Sequence, residues 1–382
     1  MNSVMTRTFV TALLLFISSS ISRISAEESR EAPSDTVCVM EQSKHGNWVK
    51  QLIGNGFHIN DPSINYPKFA RFLVNVYNWG DRTFNSYDTT YVVGTGKNWK
   101  LRGNSQNWAQ SYVMEFANNK RNRMFMMSHI YSDLGGYLSF MAVSIGQTYS
   151  TNQIFNHTKE PRQHFSFNFV CSRFSANYSH YSTTGGVSIH RFGDYNEGHH
   201  ISVPFNNIRH KTSQGNIYYF FNNKRYSQAA AYAYSKYQLK SAGSWIAGIN
   251  LCGQDINMNF SSLPEDMLVH LPLESNPVYH FHSTDYDLLG GYGYNWVIRP
   301  KVWLLNFTVM PSIGLKHSYE DATDGRRNMF STNINAQFSV VYNHRSLFLS
   351  LYGTFDGHVI YNPSYTFFNS SESLNLNVGM RF

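Results

Sequence analysis

Four His–Ser pairs share an i, i+2 spacing: His164 with Ser166, His180 with Ser182, His200 with Ser202, and His344 with Ser346. On an extended strand such neighbours project to the same side, so the imidazole can take the hydroxyl proton and leave a nucleophile. That is the chemistry of a membrane-embedded lipid hydrolase or acyltransferase. His180 and Ser182 are the catalytic candidates, because Tyr178 and Tyr181 beside them suit a bilayer interface where a lipid ester is reachable. The competing reading is structural. A chain with 16 His and abundant Ser produces such pairs by chance, and an i, i+2 pair serves equally well as a hydrogen bond in an aromatic girdle.

A second group, His280, His282, Asp285 and Asp287, offers imidazole and carboxylate ligands. Metal capture needs three or four ligands at fixed distances. His280 and His282 share a strand face and are the metal candidates, but the sequence brings no further ligand to them, so a solvated loop is the plainer reading. The doublet His199–His200 falls in another loop. Gly135–Gly136, Gly185–Gly186 and Gly290–Gly291 precede no helix in a nucleotide-binding pattern, so they serve turns, bulges or sharp bends. No cofactor is expected. The three cysteines, Cys38, Cys171 and Cys252, are too few and too far apart for a disulfide framework or a metal cluster.

The elements that would carry these residues read as long strands. Trp303, Leu305, Phe307, Val309, Ile313 and Leu315 alternate with Asn306, Thr308, Ser312 and Lys316. Phe330, Ile334, Ala336, Phe338, Val340 and Tyr342 alternate with Ser331, Asn333, Asn335, Gln337, Ser339 and Asn343, and a tight polar turn at His344 and Arg345 leads into Leu347, Leu349 and Leu351. The last segment sets Leu374, Leu376, Val378, Met380 and Phe382 on one face against Ser373, Asn375, Asn377, Gly379 and Arg381 on the other. These runs match the ~9–11 residues a tilted strand needs to cross a membrane and exceed the ~5–6 usual in globular sheets. Earlier candidates run from Ser86 to Val93, Asn107 to Ala117, Arg123 to Asp133, Gly136 to Thr148, His164 to Ser172, Ser175 to Thr183, Gly215 to Phe221, Ser241 to Cys252 and Tyr286 to Ile298. The total approaches an even number near twelve, as a closed antiparallel transmembrane β-barrel requires. The polar linkers Asn152 to Arg162, Asn196 to Gln214 and Asn257 to Val278 are expected to be extracellular loops.

Ahead of the barrel, residues 1–26 have the layout of a secretory signal peptide: Arg7, an apolar stretch from Phe9 to Ile17, and small residues at Ser25 and Ala26. Cleavage is expected near Ala26. Residues 27–85 form a periplasmic lead-in, within which Pro67 opens an amphipathic helix to Asn78, closed by Gly80 and packed against the protein. The barrel then occupies 86–382. Aromatic residues make up 16% of the chain and charged ones only 14%, against ~25% charged in typical domains. A barrel reconciles these values, because lipid-facing and lumen-facing residues average out along each strand while aromatics gather at the interfaces. The net charge of +7 is dispersed and shows no nucleic-acid stripe; it suits anionic lipid headgroups at most.

Several strings resemble a Bacteroidetes family of outer-membrane β-barrel proteins described as a domain of unknown function: YDTTYV from Tyr87, YFFNNKRYSQAAAY from Tyr219, SAGSWIAGI from Ser241, and GGYGYNWVIRPKVWLLNFTVMPSIGLK from Gly290. The resemblance covers most of the chain after the helix. It implies an outer-membrane barrel and supplies no catalytic residues. The expected partners are outer-membrane lipid, lipopolysaccharide and the barrel assembly machinery, which reads a terminal aromatic such as Phe382. The leading expectation is a passive pore for a small solute, or a structural or surface component that holds a glycan. A secreted soluble β-protein that binds carbohydrate is the remaining alternative.

Overall fold

The computed structural model describes residues 47–55, 58–84, 86–97, 99–116, 122–140, 143–151, 162–269, 271, 277–319, 327–362 and 365–382. The expected leader, Cys38 and most of the 152–162 linker lie outside the described residues. The strands are β1 (Val92–Gly94), β2 (Trp99–Phe116), β3 (Arg123–Ser128), β4 (Tyr131–Phe140), β5 (Val143–Ser150), β6 (Arg162–Val170), β7 (Phe174–Thr184), β8 (Val187–Phe192), β9 (Val203–Phe205) and β10 (Ile208–Phe220). They continue with β11 (Lys236–Gln238), β12 (Ala242–Asn259), β13 (Val278–Arg299), β14 (Trp303–Ser318), β15 (Asn328–His344), β16 (Leu347–Asn362) and β17 (Tyr365–Arg381). Fifteen of these strands form one antiparallel sheet, and β1 pairs with β11 outside it.

The ladder runs β6–β7–β10–β12–β13–β14–β15–β16–β17–β2, so the last strand pairs with β2, from Tyr365 opposite Phe116 to Arg381 opposite Lys100. Beyond β2 the wall divides. β3 takes the far half of β2 and passes on to β8 and β9, while β4 takes the near half and passes on to β5. "Near" here is the end where Trp99 and Phe382 exchange backbone hydrogen bonds of 3.1 and 3.0 Å. Hydrogen bonds also cross the interior, which shows how tightly the sheet curls. Gln254 on β12 donates to Asn369 on β17 at 3.0 Å, and Thr183 on β7 donates to Gln110 on β2 at 3.0 Å.

Alternation decides which face turns inward. Along β17, Leu374, Leu376, Val378 and Met380 are exposed while Asn375, Asn377 and Arg381 are buried. Along β14, Trp303, Phe307, Ile313 and Leu315 are exposed while Asn306, Thr308, Ser312 and Lys316 are buried. Along these strands the inner face is therefore polar and the outer face apolar. On the outer face near one rim, aromatic pairs gather: Trp245 with Tyr292, Tyr294 with Trp296, and Trp303 with Tyr342, with ring centroids 5.1, 4.7 and 4.7 Å apart. An exposed apolar band of this extent is foreign to a water-soluble protein and matches the lipid-facing band and girdle of a membrane barrel. Among the described residues, no helix is long and apolar enough to cross a membrane.

Several boundaries differ from the sequence-based expectation. The amphipathic helix runs Lys68–Phe84, past Gly80, because an interior glycine costs only about 1 kcal/mol and does not force a stop. Phe69 and Phe72, two residues of the stripe expected to pack against the protein, are exposed. A short helix, Trp48–Gly54, precedes it, capped by the Asn47 side chain. The segment from Ser86 to Val93 is not a wall strand: three residues of β1 pair with β11, and Asp88 builds a turn by accepting from the Thr90 amide and hydroxyl. The linkers expected at 196–214 and 257–278 each lose residues to long strands, since β10 starts at Ile208 and β12 runs to Asn259. The strands expected at 123–133 and 136–148 break elsewhere. β4 ends at Phe140 and β5 starts at Val143, in an apolar FMAV run that carries no turn residue.

Candidate functional site

The lumen holds three layers. At the near end, the connection between β10 and β12 folds inward instead of turning outside. Ser227 caps the short helix Gln228–Tyr232 through a 3.2 Å bond from the Ala230 amide, and the three alanines at its core are small enough to enter the barrel mouth. Wall side chains then hold its backbone. Asn295 donates to the Ser227 carbonyl at 3.0 Å, Ser339 to that of Ala231 at 2.7 Å, and Arg381 to that of Tyr234 at 2.7 Å. Tyr232 donates to Asn306 at 2.7 Å, and the Tyr234 hydroxyl meets Ser350 at 2.7 Å and Asn377 at 3.2 Å. A segment tied to five consecutive wall strands, β13 to β17, is a plug.

At the far end the interior is apolar. Phe116, Met124, Met126, Phe192, Phe205, Phe260, Phe281 and Phe367 form one buried cluster, with Phe281 stacked on Phe367 at 4.3 Å and Phe205 on Phe260 at 5.0 Å. β8 and β9 supply part of it because the chain bends sharply after β7. Gly185 and Gly186 both sit at positive φ, 72° and 69°, and the Gly186 carbonyl accepts from His129 at 2.9 Å. The straight path that a passive pore needs is interrupted by this cluster.

Between plug and apolar cluster lies a cavity of about 1100 Å³. Its lining is polar and aromatic, including Asn104, Gln106, Trp108, Tyr137, His164, Ser166, Asn216, Tyr352 and Asp356. One wall is unlike the rest. β5 pairs only with β4, and β6 only with β7, so no ladder joins β5 to β6 among the described pairings. Residues 163–168 of β6 are exposed on both alternating faces, one outward and one into the cavity. Arg162 spans this gap at its upper edge: it reaches Asp133 on β4 at 2.6 Å and also donates to Ser150 on β5. The result is a side window in the near half of the wall, with Phe165, Phe167 and Tyr149 exposed beside it.

A separate buried network braces the opposite wall. Lys316 Nζ lies 2.6 Å from Asp285, and Asn333 donates to both Asp285 and Asp287, at 3.1 and 2.6 Å. Asn250 donates to Asp287 at 2.8 Å. A charged pair this deep is held by geometry and surrounding donors, as the cost of desolvation demands.

Strand alternation separates the residues singled out in sequence. His180 faces outward, where its Nδ1 lies 2.8 Å from Ser213 Oγ; that hydroxyl, not Ser182, meets the imidazole. His164 and Ser166 line the cavity, and the His164 ring sits 5.9 Å from Trp108. His200, in the connection between β8 and β9, meets His190 on β8 at 3.2 Å. His280 and His282 face outward, with His280 2.8 Å from Asp255, whereas Asp285 and Asp287 face inward. Among the described residues, no group of three or more His, Cys, Asp or Glu could hold a metal ion. Cys171 and Cys252 are free and buried. Phe382 stacks on Trp99, with centroids 6.5 Å apart. Sequence reasoning missed the plug and the window, and it missed Lys100 and Arg102, which line the cavity on the near half of β2.

No curated protein matches the chain. Among solved structures, the outer membrane protease OmpT from Escherichia coli is similar at 9% identity and TM-score 0.31, covering 76% of this chain and 98% of that one. The translocator domain of autotransporter NalP from Neisseria meningitidis is similar at 8% identity and TM-score 0.30, covering 82% and 96%. The P. putida toluene transporter TodX is similar at 5% identity and TM-score 0.22, covering 75% and 90%. Likeness at this level carries nothing about residues or activity. Residues 86–382, which hold the wall, the plug and the cavity, match the model of the family described as Domain of unknown function (DUF4421), and the chain belongs to that family.

Proposed function

We propose that this protein is an outer-membrane β-barrel that takes a small molecule sideways from the membrane into a dead-ended lumenal cavity. The carrying observation is the unladdered gap between β5 and β6, which borders a cavity of about 1100 Å³ while the apolar cluster blocks the far end. In this reading the wall has twelve strands: β6, β7, β10, β12 to β17, β2, β4 and β5. Side chains rather than a ladder close its last edge. The near end, where the turns at 300–302 and 345–346 are short, faces the periplasm, and the longer far connections face outward. The window then opens to the periplasmic leaflet. Signal-peptide export past Ala26, handling by the assembly machinery, and contact with outer-membrane lipid and lipopolysaccharide belong to the same reading. The apolar outer face argues against a soluble carbohydrate binder. The His180–Ser213 contact on the outside, lacking a carboxylate to orient the imidazole, argues against a hydrolase.

A photoreactive side chain at position 166, on the cavity face of β6, tests the proposal in reconstituted bilayers. Crosslinking to lipid is expected there, and none from position 308, which is buried on the sealed wall. Equal labelling at both sites, or steady ohmic conductance of the wild type across a planar bilayer, refutes the side-entry reading.

A further inference from the structure

We infer that the cavity binds the anionic headgroup of a single-chain amphiphile through Lys100 and Arg102; this rests on the side-entry reading above. Both residues lie on the inner face of β2, two apart, so their side chains project together into the cavity. The cavity lining carries the basic side chains of Lys97, Lys100, Arg102, Arg162, Lys236 and Arg381 against only Asp133 and Asp356. Both carboxylates already have internal partners. Asp133 is taken by Arg162. Asp356 accepts from Asn335.

The cations differ in how fully they are used. Arg381 is saturated by the Tyr234 carbonyl, Asn343 and the Tyr237 hydroxyl, at 2.7, 2.7 and 3.3 Å, and serves the plug. Among the described residues Lys100 donates only to the Ala233 carbonyl, which leaves ammonium donors for a ligand. Arg102 lies over the Tyr137 ring at 4.6 Å, which fixes its plane, yet its buried Nε has no hydrogen-bond partner. Neither Lys100 nor Arg102 forms an ion pair among the described residues. Two neighbouring, half-buried cations that face the same cavity without a counter-charge repel each other, and an anion between them relieves that repulsion. A carboxylate or phosphate seated between them does so, with the planar guanidinium offering bidentate contacts.

The window decides what carries the anion. A free, fully hydrated anion has no reason to approach through a gap flanked outside by Phe165, Phe167 and Tyr149. An amphiphile in the membrane already has its chain there, and its headgroup can pass below the Arg162 latch to reach β2. The cavity volume, about 1100 Å³, slightly exceeds the ~300–1,000 Å³ typical of small-molecule sites and accommodates one chain.

The test is calorimetric titration of the folded full chain in neutral maltoside micelles with dodecanoate, 1-dodecanol or inorganic phosphate. Empty-micelle heats are subtracted, and folding is checked by mobility on an unboiled gel. Dodecanoate is expected to bind roughly tenfold or more tightly than the alcohol, and K100Q/R102Q to lose that margin while still binding the alcohol. R102K should keep most of the margin. If the double variant fails to fold, R102Q alone, which leaves the Lys100–Ala233 contact intact, reads the same preference. Equal affinity for acid and alcohol, or an undiminished margin in the variants, overturns the anion site but leaves the cavity standing. Displacement of dodecanoate by equimolar inorganic phosphate overturns the amphiphile in favour of a free anion. Failure of both acid and alcohol to bind overturns the cavity reading itself.

Discussion

Removing Lys316 should destabilise the barrel severely, and removing its partner as well should largely restore it. Lys316 and Asp285 are both 0% exposed and 2.6 Å apart. At an effective dielectric of ~20 their attraction is about 6 kcal/mol, most of it offset by the cost of taking both ions out of water. In Lys316→Met that offset disappears on one side only. Asp285 keeps its buried charge, beside a second carboxylate at Asp287, with Asn333 as the shared donor. The expected loss is about 3–5 kcal/mol, a large part of the ~5–15 kcal/mol typical of folded domains. The double variant Lys316→Met/Asp285→Leu removes both ions together and should lie within about 1–2 kcal/mol of wild type. Urea titration of the refolded barrel in phospholipid bilayers, followed by tryptophan fluorescence and unboiled gel mobility, measures all three proteins. A single variant that loses less than about 1 kcal/mol, or a double variant weaker than the single, would refute the reasoning that the pair matters only as a pair.

Arg162→Gln should leave the fold intact but raise lipid crosslinking from position 166 several-fold, because Arg162 ties β6 to β4 and β5 across the window; unchanged labelling would show that the latch does not gate it. Adjacent glycines should respond oppositely. A Cβ at Gly291 would sit 2.1 Å from the Val309 carbonyl, whereas one at Gly290 meets nothing within 4 Å, so Gly291→Val should cost about 1–3 kcal/mol or block folding while Gly290→Val folds normally on an unboiled gel. At the β1 corner, the Thr90 hydroxyl and amide hold Asp88 below the usual carboxylate range. Its folded value is depressed, so its contribution is present above the ordinary value and is lost as pH falls through the folded one. The Thr90 amide resonance should drift toward its unfolded position below about pH 4, and in Asp88→Asn that drift should vanish.

Where alternation was clean, the residues declared their own positions. β14, β15 and β17 have apolar side chains at every second place because one face forms the exposed outer surface of the sheet, and Lys316 was legible as inward-facing from its parity alone. Lys100 and Arg102 were missed for a related reason. The stretch KNWKLRGNSQ reads as a polar loop, since its inner face is charged and polar and its outer face sets only two apolar side chains, Trp99 and Leu101, beside Gly103 and Ser105. The strand was therefore begun at Asn107, eight residues late, and the cationic side of the cavity went with it. The plug escaped for the opposite reason. A helix of five residues has no periodicity to display, and its burial depends on wall residues more than a hundred positions away, such as Asn377 and Arg381. His280 and Asp285 appeared to be one cluster because they are close in sequence, although a spacing of five on a strand places them on opposite faces.

The pairing of β17 with β2 also bears on the order in which the molecule can form. From β12 to β17 each strand meets the one before it, so register can spread by successive hairpins between neighbours in sequence. The β2–β17 ladder joins residues as far apart as Lys100 and Arg381, and no local nucleus can anticipate it. Loop-closure entropy favours the hairpins first, and slow, non-local zipping last. The plug must be in place before that step, because its Tyr234 carbonyl and hydroxyl bind Arg381 and Asn377 on the incoming strand. The plug thus doubles as a template against which β17 finds its register. Refolding should show a slow final phase that Tyr234→Ala prolongs without altering the earlier ones.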